Sequence, residues 1–126
     1  MRLYLAARYA LKDTIAQAAD YLEKHGHKVM SDWHLEVHPP NVKVQDLPHE
    51  ENQMLAMKDF NQIHSSEAML FWAEHPDTAT VRGGRHVEFG IGLALNKQIY
   101  VLGPKENIFH YLTFKVKHID GMDEIK

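Results

Sequence analysis

The sequence predicts a three-layer α/β domain in which a mostly parallel five-stranded sheet is covered by helices on both faces. Short apolar runs alternate with segments of helical periodicity along the 126 residues. The strongest apolar run, residues 67–73, predicts a central strand, because a strand covered on both faces is apolar throughout. Strands that alternate with helices require right-handed crossovers and hence a mostly parallel sheet. We therefore expect one flavodoxin-like or Rossmann-like domain over residues 1–126.

The other elements are placed by apolar spacing and by residues that end helices. Four further strands are predicted, at residues 2–7, 27–31, 98–102 and 114–119, the last at an edge of the sheet. Four helices are predicted, at residues 10–25, 48–64, 84–95 and, as a short turn, 107–112. Gly26 and Asn96 suit a left-handed helix end, and Pro39-Pro40 indicates a loop over residues 33–46. The tail after Asp120 is expected to be frayed.

Composition excludes several classes of function. The chain carries 14 Lys and Arg against 17 Asp and Glu, with no Cys, and its formal net charge is −3. A mildly acidic chain without a basic patch is a poor binder of nucleic acid, and no disulfide or zinc-thiolate site can form. The longest apolar run has six residues, far short of the roughly 20 that cross a membrane. We therefore expect a cytoplasmic protein that binds neither nucleic acid nor membrane.

Histidine is abundant, with ten residues in the chain. His34 and His38 have the spacing of a helical metal site, but Pro39-Pro40 follows at once and no Glu-x-x-His partner is present. We therefore predict no metal site.

Two segments at the ends of predicted strands are candidates for chemistry, residues 4–9 and 74–88. Ligands of open parallel sheets bind beyond the carboxyl ends of the strands. In the second segment, Gly83-Gly84 permits a close backbone approach just before a helix, where an anion or a sugar could be held. The spacing matches neither a dinucleotide fingerprint nor a Walker loop.

Glu88 is the first candidate catalytic residue. Val87, Ile91 and Leu95 define the predicted buried stripe of its helix, which places Glu88 at the border in the first turn. The helix dipole there favours an ionised carboxylate, and an ionised carboxylate can act as a nucleophile. Gly92, four residues later, would leave space for a ligand over the carboxylate. The alternative is an ordinary first-turn glutamate that caps the helix or faces solvent.

Asp59 is a second carboxylate, beside the apolar stripe of the preceding helix. Two carboxyl groups that flank a glycosidic bond form a recognised catalytic pair. Spacing alone favours the alternative, a solvated or salt-bridged Asp59 on the face of its helix. Tyr9 and Trp33 follow predicted strand ends, where they either stack on a planar base or pack at the rim of the core.

Several motifs carry a resemblance to a known family. They are Tyr4-Leu5-Ala6, Asp59-Phe60-x-x-Ile63, Gly84-x-x-x-Glu88-Phe89-Gly90-x-x-x-Ala94 and Gly103-Pro104-x-x-Asn107-x-Phe109-His110. In order and spacing, over residues 1 to 112, the chain resembles the nucleoside 2-deoxyribosyltransferases and the related nucleoside-monophosphate N-glycosidases.

The resemblance implies roles for individual residues. Glu88 would attack the anomeric carbon to form a glycosyl ester, Tyr4 would hold that carboxylate, and Asp59 would contact the leaving base and help to protonate it. The proposed substrate-binding residues are Ala6, Arg8, Tyr9, Trp33, Arg82, Gly83, Gly84, Arg85, Asn107 and His110. The resemblance implies no cofactor, a small nucleoside or nucleotide as partner, and a homodimer or higher homo-oligomer in which Asn107 to His110 complete a neighbouring pocket.

Two departures from the family concern the substrate. Arg82 stands where the deoxyribosyltransferases carry a further aspartate, and Ala6 to Tyr9 replace the Gly-Ser type loop that grips phosphate in the glycosidases. Arg8, Arg82 and Arg85 could form a phosphate clamp of another design, or make surface salt bridges. We expect cleavage of 2'-deoxynucleosides or their monophosphates with transfer to another base. Hydrolysis of monophosphates is the first alternative, and a non-catalytic nucleotide-binding or sensing domain is the second.

Overall fold

The computed structural model describes residues 1–38, 42–75 and 83–126. Within these ranges the strands are β1 (Arg2–Ala6), β2 (Lys28–Val29), β3 (Ala68–Trp72), β4 (Gln98–Leu102) and β5 (Val116–Ile119). The α-helices there are α1 (Lys12–Lys24), α2 (His49–Ser65) and α3 (Gly84–Ala94). Short 3-10 turns lie at Tyr9–Leu11, Trp33–Leu35, Val44–Asp46, Ile108–Tyr111 and Met122–Glu124. None of the helices in the described part of the chain is long and apolar enough to cross a membrane.

The strands form one sheet in the order β2-β1-β3-β4-β5, and every neighbouring pair is parallel. The predicted α/β fold, the central position of β3 and the edge position of β5 are thereby confirmed. Leu3 to Ala6 of β1 and Ala68 to Phe71 of β3 are buried without interruption, so both faces are covered at the middle of the sheet. Gly26 (φ 89°) and Asn96 (φ 63°) adopt the predicted left-handed conformation.

The predicted buried stripe of α3 is wrong at Val87, whose exposed fraction is 64%. Arg85, Phe89 and Gly92 are the buried residues of this helix. The reason is the close approach that Gly92 permits: a Cβ there would lie 3.0 Å from Ile99 Cδ1 and about as close to Met69. The helix therefore turns its glycine towards the sheet, and the expectation that Gly92 leaves space over Glu88 is wrong as well.

The carboxyl-terminal tail is ordered against the core rather than frayed, which corrects the prediction for the residues after Asp120. Ile125 is buried, with 4% of its surface exposed. The Glu124 carboxylate accepts hydrogen bonds from the backbone N–H groups of Asp120 and Gly121, which closes the turn before Ile125. An apolar residue that reaches the core thus holds the end of the chain in place.

Candidate active site

Tyr4, Asp59 and Glu88 come from three different elements that pack against one another. Tyr4 is fully buried in β1, while Asp59 lies on α2 and Glu88 in the second turn of α3, and both helices contact β1 and each other. Burial raises the pKa of Tyr4 far above its usual value, and the charges of Glu88 and Asp59 raise it further. The fold therefore brings these three side chains within electrostatic reach of one another.

Burial raises the pKa of Glu88 to about 8. The Tyr4 hydroxyl opposes this shift and the charge of Asp59 adds to it. The hydroxyl approaches the carboxylate without a hydrogen bond of standard geometry, since buried Tyr4 Oη and Glu88 Oε2 have no hydrogen-bond partner within the described part of the chain. The prediction that Glu88 lies in the first turn of its helix is wrong, because α3 begins at Gly84 and Glu88 falls in the second turn. The helix dipole acts mainly within the first turn, so it does not keep Glu88 ionised against the effect of burial.

The pKa of Asp59 is raised to about 6, first by burial and then by the charge of Glu36. Asp32 raises it further, whereas Lys58 lowers it. Lys58 forms ion pairs with Glu36 and, at 3.0 Å, with Asp32, so one ammonium group is shared between two carboxylates beside Asp59. Asp59 Oδ1 is buried and has no hydrogen-bond partner among the described residues.

The aromatic residues after β1 and β2 are held by backbone hydrogen bonds. Trp33 is buried, and its indole Nε1–H donates to the carbonyl of Leu5 at 2.7 Å. The Tyr9 hydroxyl donates to the Glu36 carbonyl at 2.7 Å and accepts from the backbone N–H of His38 at 3.2 Å. The centroids of the Tyr9 and Trp33 rings are 6.4 Å apart. Their ability to stack on a base stays a prediction.

Two of the three predicted clamp arginines bind carboxylates of the protein. Arg8 donates from Nε to Glu74 Oε1 at 2.9 Å, and its Nη2 lies 2.9 Å from the same oxygen. Arg85 donates from Nη1 and Nη2 to the two oxygens of Glu106, at 2.5 and 2.7 Å. The third arginine, Arg82, lies outside the described residues.

The remaining predicted substrate-binding residues lie at the same edge of the sheet or in the loop after β4. Ala6 is buried at the end of β1, and Gly83 (φ 78°) and Gly84 begin α3. Asn107 caps the following 3-10 turn by accepting the backbone N–H of Phe109 at 2.9 Å. His110 is fully buried, and burial lowers its pKa to about 4. In the described residues, no group of three or more His, Asp or Glu side chains could hold a metal.

Sequence reasoning missed the charged residues that surround these groups. Glu74 lies two residues after β3 and Glu106 four residues after β4, so the rule that sites form at the carboxyl ends of strands could have found both. Glu36 lies in a predicted loop, and no periodicity or motif indicates its approach to Asp59.

Comparisons with known proteins support the fold. The structure resembles a 2-deoxyribosyltransferase from Bacillus psychrosaccharolyticus, with a TM-score of 0.74, 17% sequence identity, and coverage of 99% of this chain and 90% of that one. It also resembles the CMP N-glycosidase BcmB of Clostridium botulinum, with a TM-score of 0.63, 22% identity, and coverage of 94% and 87%. The chain shares their fold. Both are proteins of the kind that the sequence resembles. No protein-family model and no curated protein matches the chain.

Proposed function

We propose that the protein cleaves the N-glycosidic bond of 2'-deoxynucleosides or their monophosphates and transfers the deoxyribosyl group to another nucleobase. The observation that carries this proposal is the convergence of Tyr4, Asp59 and Glu88, with the pKa values of the two carboxyl groups raised to about 6 and about 8. A pair of carboxyl groups at one site can supply the acid and the nucleophile of glycosidic cleavage. Here Glu88, the proposed nucleophile, has the higher pKa, so the reactive combination of protonation states is a minor one at neutral pH.

In the first half of the reaction, an ionised Glu88 oxygen attacks the anomeric carbon. The bond from that carbon to the base nitrogen breaks, and its electron pair goes to the base. Protonated Asp59 gives its proton to the departing base, so the base leaves neutral and Asp59 becomes a carboxylate. Tyr4, close to the Glu88 carboxylate, stabilises its ionised form before the attack.

In the second half, a nitrogen of an acceptor base attacks the anomeric carbon and the ester bond to Glu88 breaks. The acceptor passes its proton to Asp59, which restores the starting protonation state. If water takes the place of the acceptor, the outcome is hydrolysis. The two resembling structures carry these two outcomes in their names, a deoxyribosyltransferase and a CMP N-glycosidase.

The substrate is proposed to lie at the carboxyl edge of the sheet, between α2 and α3. Tyr9 and Trp33 are proposed to border the base, and Gly83 and Gly84 to border the sugar. We propose further that the protein works as a cytoplasmic homodimer or higher homo-oligomer, with Asn107 and its neighbours reaching the pocket of another copy. The exposed Ile108 and Phe109 beside Asn107 support such a contact.

The test is incubation with a panel of deoxynucleosides and their monophosphates, with and without a second free base, followed by chromatography of released and exchanged bases. We expect exchange in the wild-type protein and loss of nearly all activity in the Glu88→Gln variant. Glu23→Gln, an exposed glutamate on α1, is the matched control and should leave activity unchanged. Release without exchange would indicate a hydrolase. Absence of both would contradict cleavage and favour a binding domain.

A further inference from the structure

The ion pair between Arg85 and Glu106 lies at the point where several segments of the site meet. Both side chains are only 6% exposed. Glu106 Oε2 also accepts the backbone N–H of Glu74 at the end of β3, at 2.9 Å. The backbone N–H of Glu106 donates to His110 Nδ1 at 3.0 Å, and His86 Nε2 lies 3.9 Å from Glu106 Oε1. Glu106 thus connects the loop after β4 with the end of β3 and with α3.

Through Arg85, this ion pair is linked to the helix that carries the proposed nucleophile. Arg85 lies in the first turn of α3, three residues before Glu88, and its guanidinium carbon lies 5.2 Å from the centroid of the Phe71 ring on β3. A bidentate pair fixes both the distance and the plane of the guanidinium group. Because a helix turn is rigid, fixing Arg85 also fixes the helix turn that carries Glu88.

We propose that Arg85 and Glu106 are positioning residues that hold the first turns of α3 so that Glu88 is aligned with the anomeric carbon. This inference rests on the proposed function. It replaces a substrate-binding role for Arg85, because the Glu106 carboxylate occupies the same guanidinium nitrogens that a phosphate would use.

Charge arrangement around the pair favours this role. Glu74 Oε2 lies 3.6 Å from Arg85 Nη2, so a second carboxylate faces the guanidinium group. Although burial alone would raise the pKa of Glu106, hydrogen bonds from Arg85 hold it below its ordinary value, so the pair is ionic at neutral pH. A phosphate group that approached Arg85 would meet two carboxylates already in place.

The experiment measures kcat and KM of the Arg85→Lys and Glu106→Gln variants and of the double variant on a deoxynucleoside and on its monophosphate. Lysine keeps the charge of Arg85 but cannot form the two-pronged pair, and glutamine keeps the size of Glu106. Glu67→Gln is the matched control, because Glu67 pairs with exposed Arg2 at 3.5 Å near the opposite edge of the sheet. Rates are expressed per folded molecule, from circular dichroism amplitude below the Tm.

The expected result is a fall in kcat of about 10- to 100-fold in either variant, equal for both substrates, with KM within about twofold of wild type. The kcat of the double variant should fall no further than that of the less active single variant, since both substitutions remove the same contact. Unchanged kcat with only a lowered Tm would overturn the proposal, as would a KM that rises for the monophosphate alone. Additive losses would overturn it as well.

Folding and function are separated by two further measurements. If Glu106→Gln does not fold, Glu106→Asp keeps the charge and shortens its reach, and the same fall in kcat is expected. Wild-type protein that cleaves no substrate would overturn the proposed function and with it any part of this pair in the reaction. An active wild-type protein with fully active variants would overturn only the positioning role.

Discussion

Replacement of Asp59 by asparagine tests the division of labour between the two carboxyl groups. Asparagine keeps the shape of the side chain but carries no proton that it can give to the leaving base. General acid catalysis contributes about 10²- to 10⁴-fold, and we expect a loss of that size in kcat/KM. The pH profile of kcat/KM should change shape as well, because the pKa of Asp59, about 6, lies within the pH range of the assay.

The wild-type profile follows from the two pKa values. The reaction needs ionised Glu88, with a pKa of about 8, and protonated Asp59, with a pKa of about 6. At pH 7 each group is in the required state in about one molecule of eleven, so about 1% of the free enzyme carries both. We therefore expect a profile of kcat/KM that is nearly flat between pH 6 and 8 and falls about tenfold per pH unit on either side. In the D59N variant the fall above pH 8 disappears, since residue 59 has no proton to lose.

The assay measures base release by chromatography between pH 5 and 9.5. A second substrate, a 7-methylpurine deoxynucleoside, carries a cationic base that leaves without a proton. The D59N variant should therefore lose less than about tenfold on that substrate, against its full loss on an ordinary deoxynucleoside. The control is Asp20→Asn, an exposed aspartate on α1, which should change neither rate nor profile.

Two results would refute the role of Asp59 as the acid. One is a bell-shaped profile that persists in the D59N variant, because the basic limb would then belong to another group. The other is an equal loss on both substrates, because a base that needs no proton should not depend on a proton donor.

The other predictions concern the neighbours of these groups and the stability of the fold. In a Tyr4→Phe variant the pKa of Glu88 should rise further, because the hydroxyl stabilises the ionised carboxylate, and the pH profile should show lower kcat/KM at pH 7. The Glu88→Gln variant should gain Tm over wild type progressively from pH 5 to pH 8, since the wild-type folded state keeps a proton that the unfolded chain, with a pKa of 4.5, releases. A Gly103→Ala variant should lose about 1–3 kcal/mol in denaturant unfolding, because φ is 114° and the new Cβ would lie 2.9 Å from the Ala73 carbonyl oxygen. Gly84→Ala, with open space around its Cβ, is the control and should change little.

Most of the fold could be predicted because its strands and helices bury residues with simple periodicities. The central strand β3 is apolar throughout, and α1 buries Ile15, Ala18, Ala19 and Leu22 at helical spacing. The errors occur where a contact with another element determines which residues are buried. Val87 fits the apolar period of α3, yet the close approach at Gly92 turns it to solvent. Ile125 lies in a short polar tail, and only the tertiary structure shows that it reaches the core.

The candidate site was predictable as a set of residue types but not as an environment. Tyr4, Asp59 and Glu88 could be chosen from motifs, while their pKa shifts depend on burial and on neighbours distant in the chain. Glu36 acts on Asp59 from another segment, and no local pattern in the sequence encodes that approach. Charge partners of this kind follow from topology, so they become visible only when the strands and helices are assembled.

The burial that raises the pKa of Glu88 also favours the first step of the proposed reaction. An ionised carboxylate in this site has lost much of its hydration, and attack on the anomeric carbon converts its charge into a neutral ester. Asp59 loses its proton in the same step, and among its charged neighbours Lys58 favours the carboxylate that forms while Glu36 and Asp32 oppose it. Negative charge thus moves from the carboxyl group of higher pKa to the one of lower pKa, where a carboxylate is the more stable form. A site that kept both carboxylates fully solvated would gain nothing from this transfer.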